Sequence, residues 1–396
     1  MMTMRVLIYT HAFIPKVGGV ETYVMHLATG LSERGCTVTV ATPTSADGFD
    51  DRKLSFHVVR QPGVRALWRL LREVDIVQVA GPCFVPLLLG LFLRKLIVIE
   101  HHGYQAVCPN GLLLYESTKT LCPGHFMAQR YHKCLHCNAH TNGWFKSFLM
   151  LLLTFPRRWL CKCVAVNVGV TNHVSQRVAL PRTRTIYYGI PDPIVNPLET
   201  RTSQSAIRDP FTFAYVGRLV SEKGLPLLLE AAKRLKDQGY NFRLKLIGDG
   251  PERPRLEAMT DALSLREEVF FAGFLRGKAL QEALEDVAAV AMPSVWEETA
   301  GLAAMEQMMR GRIVIASDIG GLGEVVGDAG LKFPAGHREA LVRCLLQVLE
   351  NPNLVNKLGE KARARALALF QQGRMANDHL RLYRGLLKSL ESAPSC

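Results

Sequence analysis

Two carboxylates, Glu298 and Glu306, stand with seven residues between them in the run PSVWEETAGLAAMEQMM. Ala303, Ala304, Met305, Met308 and Met309 favour helix, so the chain is expected to turn near Glu298 and enter a helix around Thr299 to Gly301. Glu298 then precedes the helix, and Glu306, five residues beyond Gly301, lies about 7 to 8 Å along it from that glycine at about 1.5 Å per residue. Free N–H groups at Gly301 and Leu302 would meet a diphosphate, with the carboxylates accepting from sugar and ribose hydroxyls on either side. Two acids at a helix start are also ordinary capping chemistry, and the pair alone leaves both readings open. Upstream, YVGRLVSEKGLPLLLEAAKRL puts Arg218 and Lys223 in a loop entering a helix. Cations and helix dipole there can serve one phosphate-rich ligand, or the cations can simply be solvated. In THAFIPKVGGVE, Gly18 and Gly19 precede another helix, where bare backbone can approach an anion or merely make a tight turn.

A second constellation is the segment CPNGLLLYESTKTLCPGHFMAQRYHKCLHC, which holds Cys108, Cys122, Cys134 and Cys137 with 13, 11 and 2 residues between them. The closing Cys-x-x-Cys is a zinc half-site, and Cys108 and Cys122 can complete a tetrahedron, with His125, His132 and His136 as substitutes. The expectation is a structural zinc stapling an inserted loop beside the acceptor cleft; free thiols or a redox pair are the other readings. Cys36, Cys83 and Cys344 read as core fillers.

These residues need a scaffold of strand exits. Short apolar strands are expected at 5–10, 37–42, 75–80, 96–101, 162–170 and 184–189, alternating with helices such as Glu21 to Arg34. The alternation pauses in PDPIVNPLETRTSQSAIRDP and resumes with strands at 211–217, 243–248, 269–274, 288–294 and 313–318. The fold class is therefore α/β: two doubly wound Rossmann-like domains facing across a cleft. Their expected bounds are 1–192 (insert 101–140) and 211–366, with a linker over 193–210. A C-terminal helix over 367–396 is expected to return to the first domain. A dinucleotide oxidoreductase fits poorly, because Gly-x-Gly-x-x-Gly is missing and the second strand, TVTVAT, ends without an acid for ribose.

VGRLVSEKG, GDGPERPRLE and the spaced glutamates resemble glycosyltransferase family 4, retaining enzymes of the GT-B fold, over nearly the whole chain. The resemblance implies that Arg218 and Lys223 hold the donor diphosphate, that Glu306 binds ribose hydroxyls and that Glu298 binds the transferred sugar. Gly301 and Leu302 would lend backbone contacts, with Thr299 beside them. Gly248 to Pro251, including Gly250, and the turn at Gly273 and Phe274 would border the base. Gly19, next to Gly18, would approach the phosphates, and His102 would contact the donor sugar; a structural or metal-binding histidine beside His101 at a strand end is the alternative reading of His102. Gly103, Ala300 and Ile313 depart from the common Asp, Phe and Pro, which bears on the donor sugar more than on the reaction.

The implied function is transfer of a sugar from a UDP- or GDP-sugar to a glycan or lipid-linked acceptor in envelope polysaccharide or glycoconjugate synthesis. No cofactor is expected for catalysis. A sugar-nucleotide epimerase or phosphorylase of the same fold is the alternative. The formal charge of +13 asks for an anionic partner. Nucleic acid is not expected, since the basic residues are spread over both domains without an aromatic stacking run. The start MMTMRVLIYTHAF reads as a strand, not a signal peptide, so a cytoplasmic chain is expected, peripheral at the inner face of the membrane. The runs at 84–99 and 144–155 are too short or too interrupted to span a bilayer. The first reads as a buried helix running into a strand. The second reads either as an amphipathic surface helix against anionic lipid or as a core helix with solvated ends.

Overall fold

The computed structural model describes residues 3–193 and 210–391, so almost all of the expected linker lies outside the described residues. Among these, one compact unit takes the chain up to Thr118, Cys122 to Pro191 and Leu369 onward; the other takes Asp192 to Ala368 with Lys119–Leu121.

In the first unit, β-branched and aliphatic runs form seven parallel strands: Arg5–Thr10, Thr37–Thr42, His57–Arg60, Ile76–Ala80, Leu96–His101, Val166–Gly169 and Thr183–Thr185. Their spatial order is third, second, first, fourth, fifth, sixth, seventh. The first strand pairs in register with both neighbours, Val6 opposite Val38 and Ile76. Helices α1 (Gly19–Ser32), α2 (Val64–Glu73), α3 (Phe84–Phe92), α4 (Tyr131–Asn142), α5 (Trp144–Cys163) and α6 (Asn172–Val178) join them. Central strands such as Ile76–Ala80 are buried along their whole length, as a parallel sheet covered by helices demands.

The second unit repeats the plan with strands Phe211–Val216, Phe242–Ile247, Val269–Gly273, Val287–Met292, Ile313–Ser317 and Leu331–Phe333, again ordered third, second, first, fourth, fifth, sixth. Its helices are α7 (Leu225–Asp237), α8 (Arg253–Ala262), α9 (Gly277–Ala283), α10 (Leu302–Met309), α11 (Gly320–Val326), α12 (Arg338–Glu350) and α13 (Pro352–Leu369).

The final helix, α14 (Gln372–Glu391), packs on α1 of the first unit. The stretch that reads as one helix from sequence is thus two. The break falls at Phe370–Gln371, because the backbone there pairs with Ile190: Ile190 N–H donates to Phe370 O (2.8 Å) and Gln372 N–H to Ile190 O (2.9 Å). A buried polar network holds α14 to the sheet. Glu100 Oε2 accepts from Gln78 Nε2 at 3.0 Å and meets His379 Nε2 at 3.2 Å, while the Tyr383 hydroxyl donates to Gln78 Oε1 at 3.0 Å. Removing one member of such a buried set typically costs about 1 to 3 kcal/mol, because a buried polar group is left without its partner.

Three further readings shift. The strand expected over 162–170 shortens to Val166–Gly169, since α5 runs through Pro156 to Cys163. The strand expected over 184–189 ends at Thr185, as Tyr188 and Gly189 are taken by partners outside the sheet, His102 and the Met375 sulfur. The run at 84–99 does form a helix and a strand, but α3 is buried on one side only, with Val85, Leu88 and Phe92 exposed.

Candidate active site

Because the second sheet is parallel, its strands release their loops at one edge. Backbone hydrogen bonds stitch those loops together. Gly217 N–H donates to Ile247 O (3.0 Å), Leu219 N–H to Asp249 O (2.9 Å), Gly248 N–H to Gly273 O (2.8 Å) and Val295 N–H to Glu222 O (3.0 Å). Two glycines make the approach feasible: a Cβ at Gly248 would stand 1.8 Å from Gly217 O, and one at Gly224 would stand 2.0 Å from Pro293 O. Arg218, Lys223, Gly248, Gly250, Gly273, Phe274, Glu298, Thr299 and Gly301 all lie on these loops.

Glu298 is 4% exposed. Such a carboxylate needs partners, and its Oε1 has two: Lys223 Nζ donates at 2.8 Å and the Ser294 hydroxyl also donates to it. Lys223 therefore anchors Glu298 directly, and its ammonium also lies 5.8 Å over the Trp296 ring. The other oxygen, Oε2, faces Gly301, where a Cβ would come within 3.7 Å. Gly301 is the cap residue of α10 in left-handed conformation (φ 76°), so the helix begins at Leu302, just past the range read from sequence. No side chain caps this start, leaving its first N–H groups available to an acceptor.

Arg218 is exposed, and its guanidinium has no side-chain partner among the described residues. Its carbonyl accepts from the buried Tyr215 hydroxyl at 2.8 Å. Burial first, then the charges of Glu298 and Glu222, hold the Tyr215 hydroxyl protonated well above its ordinary range, with Arg218 pulling the other way. Glu298 and Arg218 thus act on one hydroxyl from either side. Glu306, on α10, is half-buried; burial pushes its carboxyl up and Arg310 partly offsets that. Phe274 is exposed, with the Arg276 guanidinium 4.7 Å over its ring.

In the first unit, His102 follows the strand Leu96–His101. Its Nδ1 meets the Tyr188 hydroxyl at 2.6 Å, and Tyr23 packs edge-on at 4.6 Å between ring centroids. Burial, then His101 and His379, push the His102 ring down to about 3, so it is neutral at physiological pH. The bond to Tyr188 can run either way; when the hydroxyl donates to Nδ1, the proton resides on Nε2, a buried atom without a partner among the described residues. His101 has a structural role: buried, its Nε2 meets Asn167 Oδ1 at 2.9 Å and burial lowers it to about 4. Gly18 and Gly19 do open α1, but the Glu21 carboxylate lies against Gly18, putting negative charge where an anion was expected.

The four insert cysteines are all buried, and Cys134 and Cys137 lie one turn apart on α4. They are not assembled as the zinc site read from their spacing. Among the described residues no group of three or more His, Cys, Asp or Glu stands where it could hold a metal ion. Two of the sulfurs engage polar groups of the insert instead, and Asn110 serves both, its Nδ2 lying 3.8 Å from Cys137 Sγ. Cys108 Sγ donates to Asn110 Oδ1 at 2.9 Å, and Cys137 Sγ accepts from Glu116 N–H at 3.3 Å and contacts Leu114 O at 3.6 Å. Burial drives Cys108 up to about 11 and Cys134 up to about 12, each also feeling neighbouring cysteines.

Sequence reasoning missed Ser294, Tyr188 and Gly321. Ser294 ends a strand-exit run that could have flagged it; Gly321, whose N–H donates to Glu298 O at 2.6 Å, lies in a glycine pair at another strand exit. Nothing local marks Tyr188, which only the fold brings to His102.

Two family descriptions match the chain in tandem: "Glycosyltransferase Family 4" over residues 17–192 and "Glycosyl transferases group 1" over 199–365. The chain is similar to alpha-D-kanosaminyltransferase of Streptomyces kanamyceticus, 28% identical over 43% of this chain and 44% of that one. It is similar also to D-rhamnosyltransferase WbpZ of Pseudomonas aeruginosa, 30% identical over 48% of this chain and 50% of that one. The matched stretch thus spans half or less of each relative. Among solved structures, Anabaena HepE in complex with UDP and glucose superimposes with a TM-score of 0.71 at 17% identity, covering 96% of this chain and 100% of that one. At that identity the likeness concerns the fold, which is GT-B.

Proposed function

The chain belongs to glycosyltransferase family 4, and on that premise we propose that it transfers a sugar, with retention of configuration, from a nucleoside-diphosphate sugar to a glycan or lipid-linked acceptor. The observation that carries this reading is Glu298, anchored through Oε1 by Lys223 and Ser294 so that Oε2 faces the uncapped start of α10. In this reading the diphosphate meets the amides at Leu302 and the Arg218 guanidinium, Oε2 accepts from a hydroxyl of the transferred sugar, and Glu306 accepts from the ribose. Phe274, backed by Arg276, offers a flat face to the base. His102, neutral and in the tautomer with a hydrogen on Nε2, can donate to a sugar oxygen without placing a second positive charge beside the diphosphate.

Charge grows on the diphosphate as the glycosidic bond breaks, and a preset cation and N–H groups answer it without reorganising. HepE was solved with UDP and glucose, which favours a UDP-sugar donor. By their names the two relatives transfer kanosaminyl and rhamnosyl groups, so the acceptor is proposed only as a hydroxyl-bearing glycan or its lipid-linked form.

A screen of UDP- and GDP-sugars for release of the nucleoside diphosphate tests the reading. We expect one donor to stand out, turnover to survive EDTA, and the product to keep the donor's anomeric configuration by NMR. Conversion of the donor to an isomer with no diphosphate released would instead indicate an epimerase.

A further inference from the structure

Helix α5 is turned inside out. Its buried residues include Ser147, Leu151, Thr154 and Cys161, while Phe145, Phe148, Leu149, Leu152, Phe155 and Trp159 face solvent. Phe145 is 83% exposed and Trp159 62%. The outer residues recur at helical spacing and form one stripe, bulkier and more apolar than the inner face. Nor is the inner face left unsatisfied, because the Ser147 and Thr154 hydroxyls donate to Gly143 O and Met150 O, each at 2.8 Å. The stripe continues onto α3, which packs on α5 and exposes Val85, Leu88 and Phe92. Arg157 bridges them, its guanidinium 5.0 Å over the Phe84 ring. A contiguous apolar surface of this kind marks an interaction site.

Charge identifies the partner. Residues 117–191 contain ten Lys and Arg and no Asp or Glu. Arg130, Lys133, Lys146 and Lys162 of that stretch are exposed on or beside α4 and α5, and Arg94 is exposed just past α3. A second copy of the chain would bring the same positive charge against itself. A bilayer with anionic headgroups offers both an apolar interior for the stripe and negative charge for its rim. No helix among the described residues is long and apolar enough to cross a membrane, so the geometry is that of a helix lying in the surface plane.

We propose that the outer faces of α5 and α3 form a docking surface for an anionic bilayer, with Phe145, Phe148, Leu152 and Trp159 inserted among the acyl chains. This goes beyond the transfer reading and does not depend on it. Flotation of the full chain with vesicles of phosphatidylcholine, with and without phosphatidylglycerol, tests it. Binding is expected to the mixed vesicles and to weaken as salt rises. Phe148→Ser with Trp159→Ser should lower affinity about 100-fold, at about tenfold per inserted side chain, while the melting temperature holds because both residues are already exposed. Lys146→Glu with Lys162→Glu should weaken binding only where phosphatidylglycerol is present. Failure to float, whether the chain is monomeric or self-associates by light scattering, overturns the proposal. Equal, salt-insensitive binding to both vesicle types overturns the anionic requirement. No nucleotide sugar enters these assays, so their outcome is separable from that of the donor screen.

Discussion

The strand exits of the two units share a topology and differ in electrostatics. In the second unit they carry charge: Arg218 exposed and unpaired by side chains, Lys223 paired with a buried Glu298, and Glu306 on the following helix. In the first they carry a neutral ring, His102, held by Tyr188 and Tyr23, with a carboxylate against Gly18. In the proposed reading phosphate chemistry concentrates on the second unit, whose glycines let four loops close around the charges. The first unit offers hydrogen-bond geometry at a ring whose burial makes a cation costly to maintain.

The largest expected effect tests the charged side. Arg218→Ala should lower kcat/KM by about 100-fold to 1,000-fold with the circular dichroism unchanged, the usual loss when one donor to a developing anion is removed. An unaltered rate would take Arg218 out of the mechanism and shift the charge contrast onto Lys223 alone.

Next is the neutral side's sensitivity to acid. His101 titrates near 4 in the fold against about 6.5 in the unfolded chain. Below pH 6.5 the unfolded chain therefore binds a proton that the native state refuses, so stability is full above pH 6.5 and declines as pH falls toward 4. Urea unfolding should show a loss of about 2 kcal/mol from this group between pH 7 and pH 5. In His101→Gln that part of the slope should vanish; an identical slope would mean His101 is not the responsible group.

A smaller effect is expected from Tyr188→Phe, which removes the hydroxyl that fixes the His102 tautomer. The rate should fall roughly tenfold with KM little changed, in keeping with one lost hydrogen bond. Nitrogen-15 shifts of the His102 ring should move from a single Nε2–H form toward a tautomer mixture. Unchanged shifts would show that Tyr188 only packs there.

Smallest in consequence for turnover are the insert thiols. Cys108, Cys122, Cys134 and Cys137 should react with a thiol reagent at pH 8 only after unfolding, while the exposed Cys163 reacts at once. One zinc per chain in the purified protein would show that the four sulfurs regroup around an ion, displacing the contacts that Cys108 and Cys137 make with Asn110.

Strand and helix alternation was legible because parallel strands buried on both faces must be continuously apolar, and runs such as IVQVA and VAAVAM are. Glu298, Arg218 and Lys223 were legible as types in order, since several charged and glycine-bearing strand exits follow one another in the sequence although each alone is ordinary. Their division of labour was not. Lys223 could be read as a phosphate ligand, but it lies 2.8 Å from Glu298, a pairing across 75 residues that no local pattern encodes. Likewise the spacing of the cysteines suggested a ligand set, while backbone groups at 114 and 116 and the Asn110 side chain engage their sulfurs.

By itself, then, the sequence determined the fold, the second unit's charged loops and the excess of positive charge in the first, because these follow from residue type and periodicity. Tertiary structure alone decided which oxygen of Glu298 is held, that His102 is neutral, and that the apolar stripe of α5 points outward. Each of those depends on what burial and distant partners do to a group, and two faces of one helix look alike until the fold covers one of them.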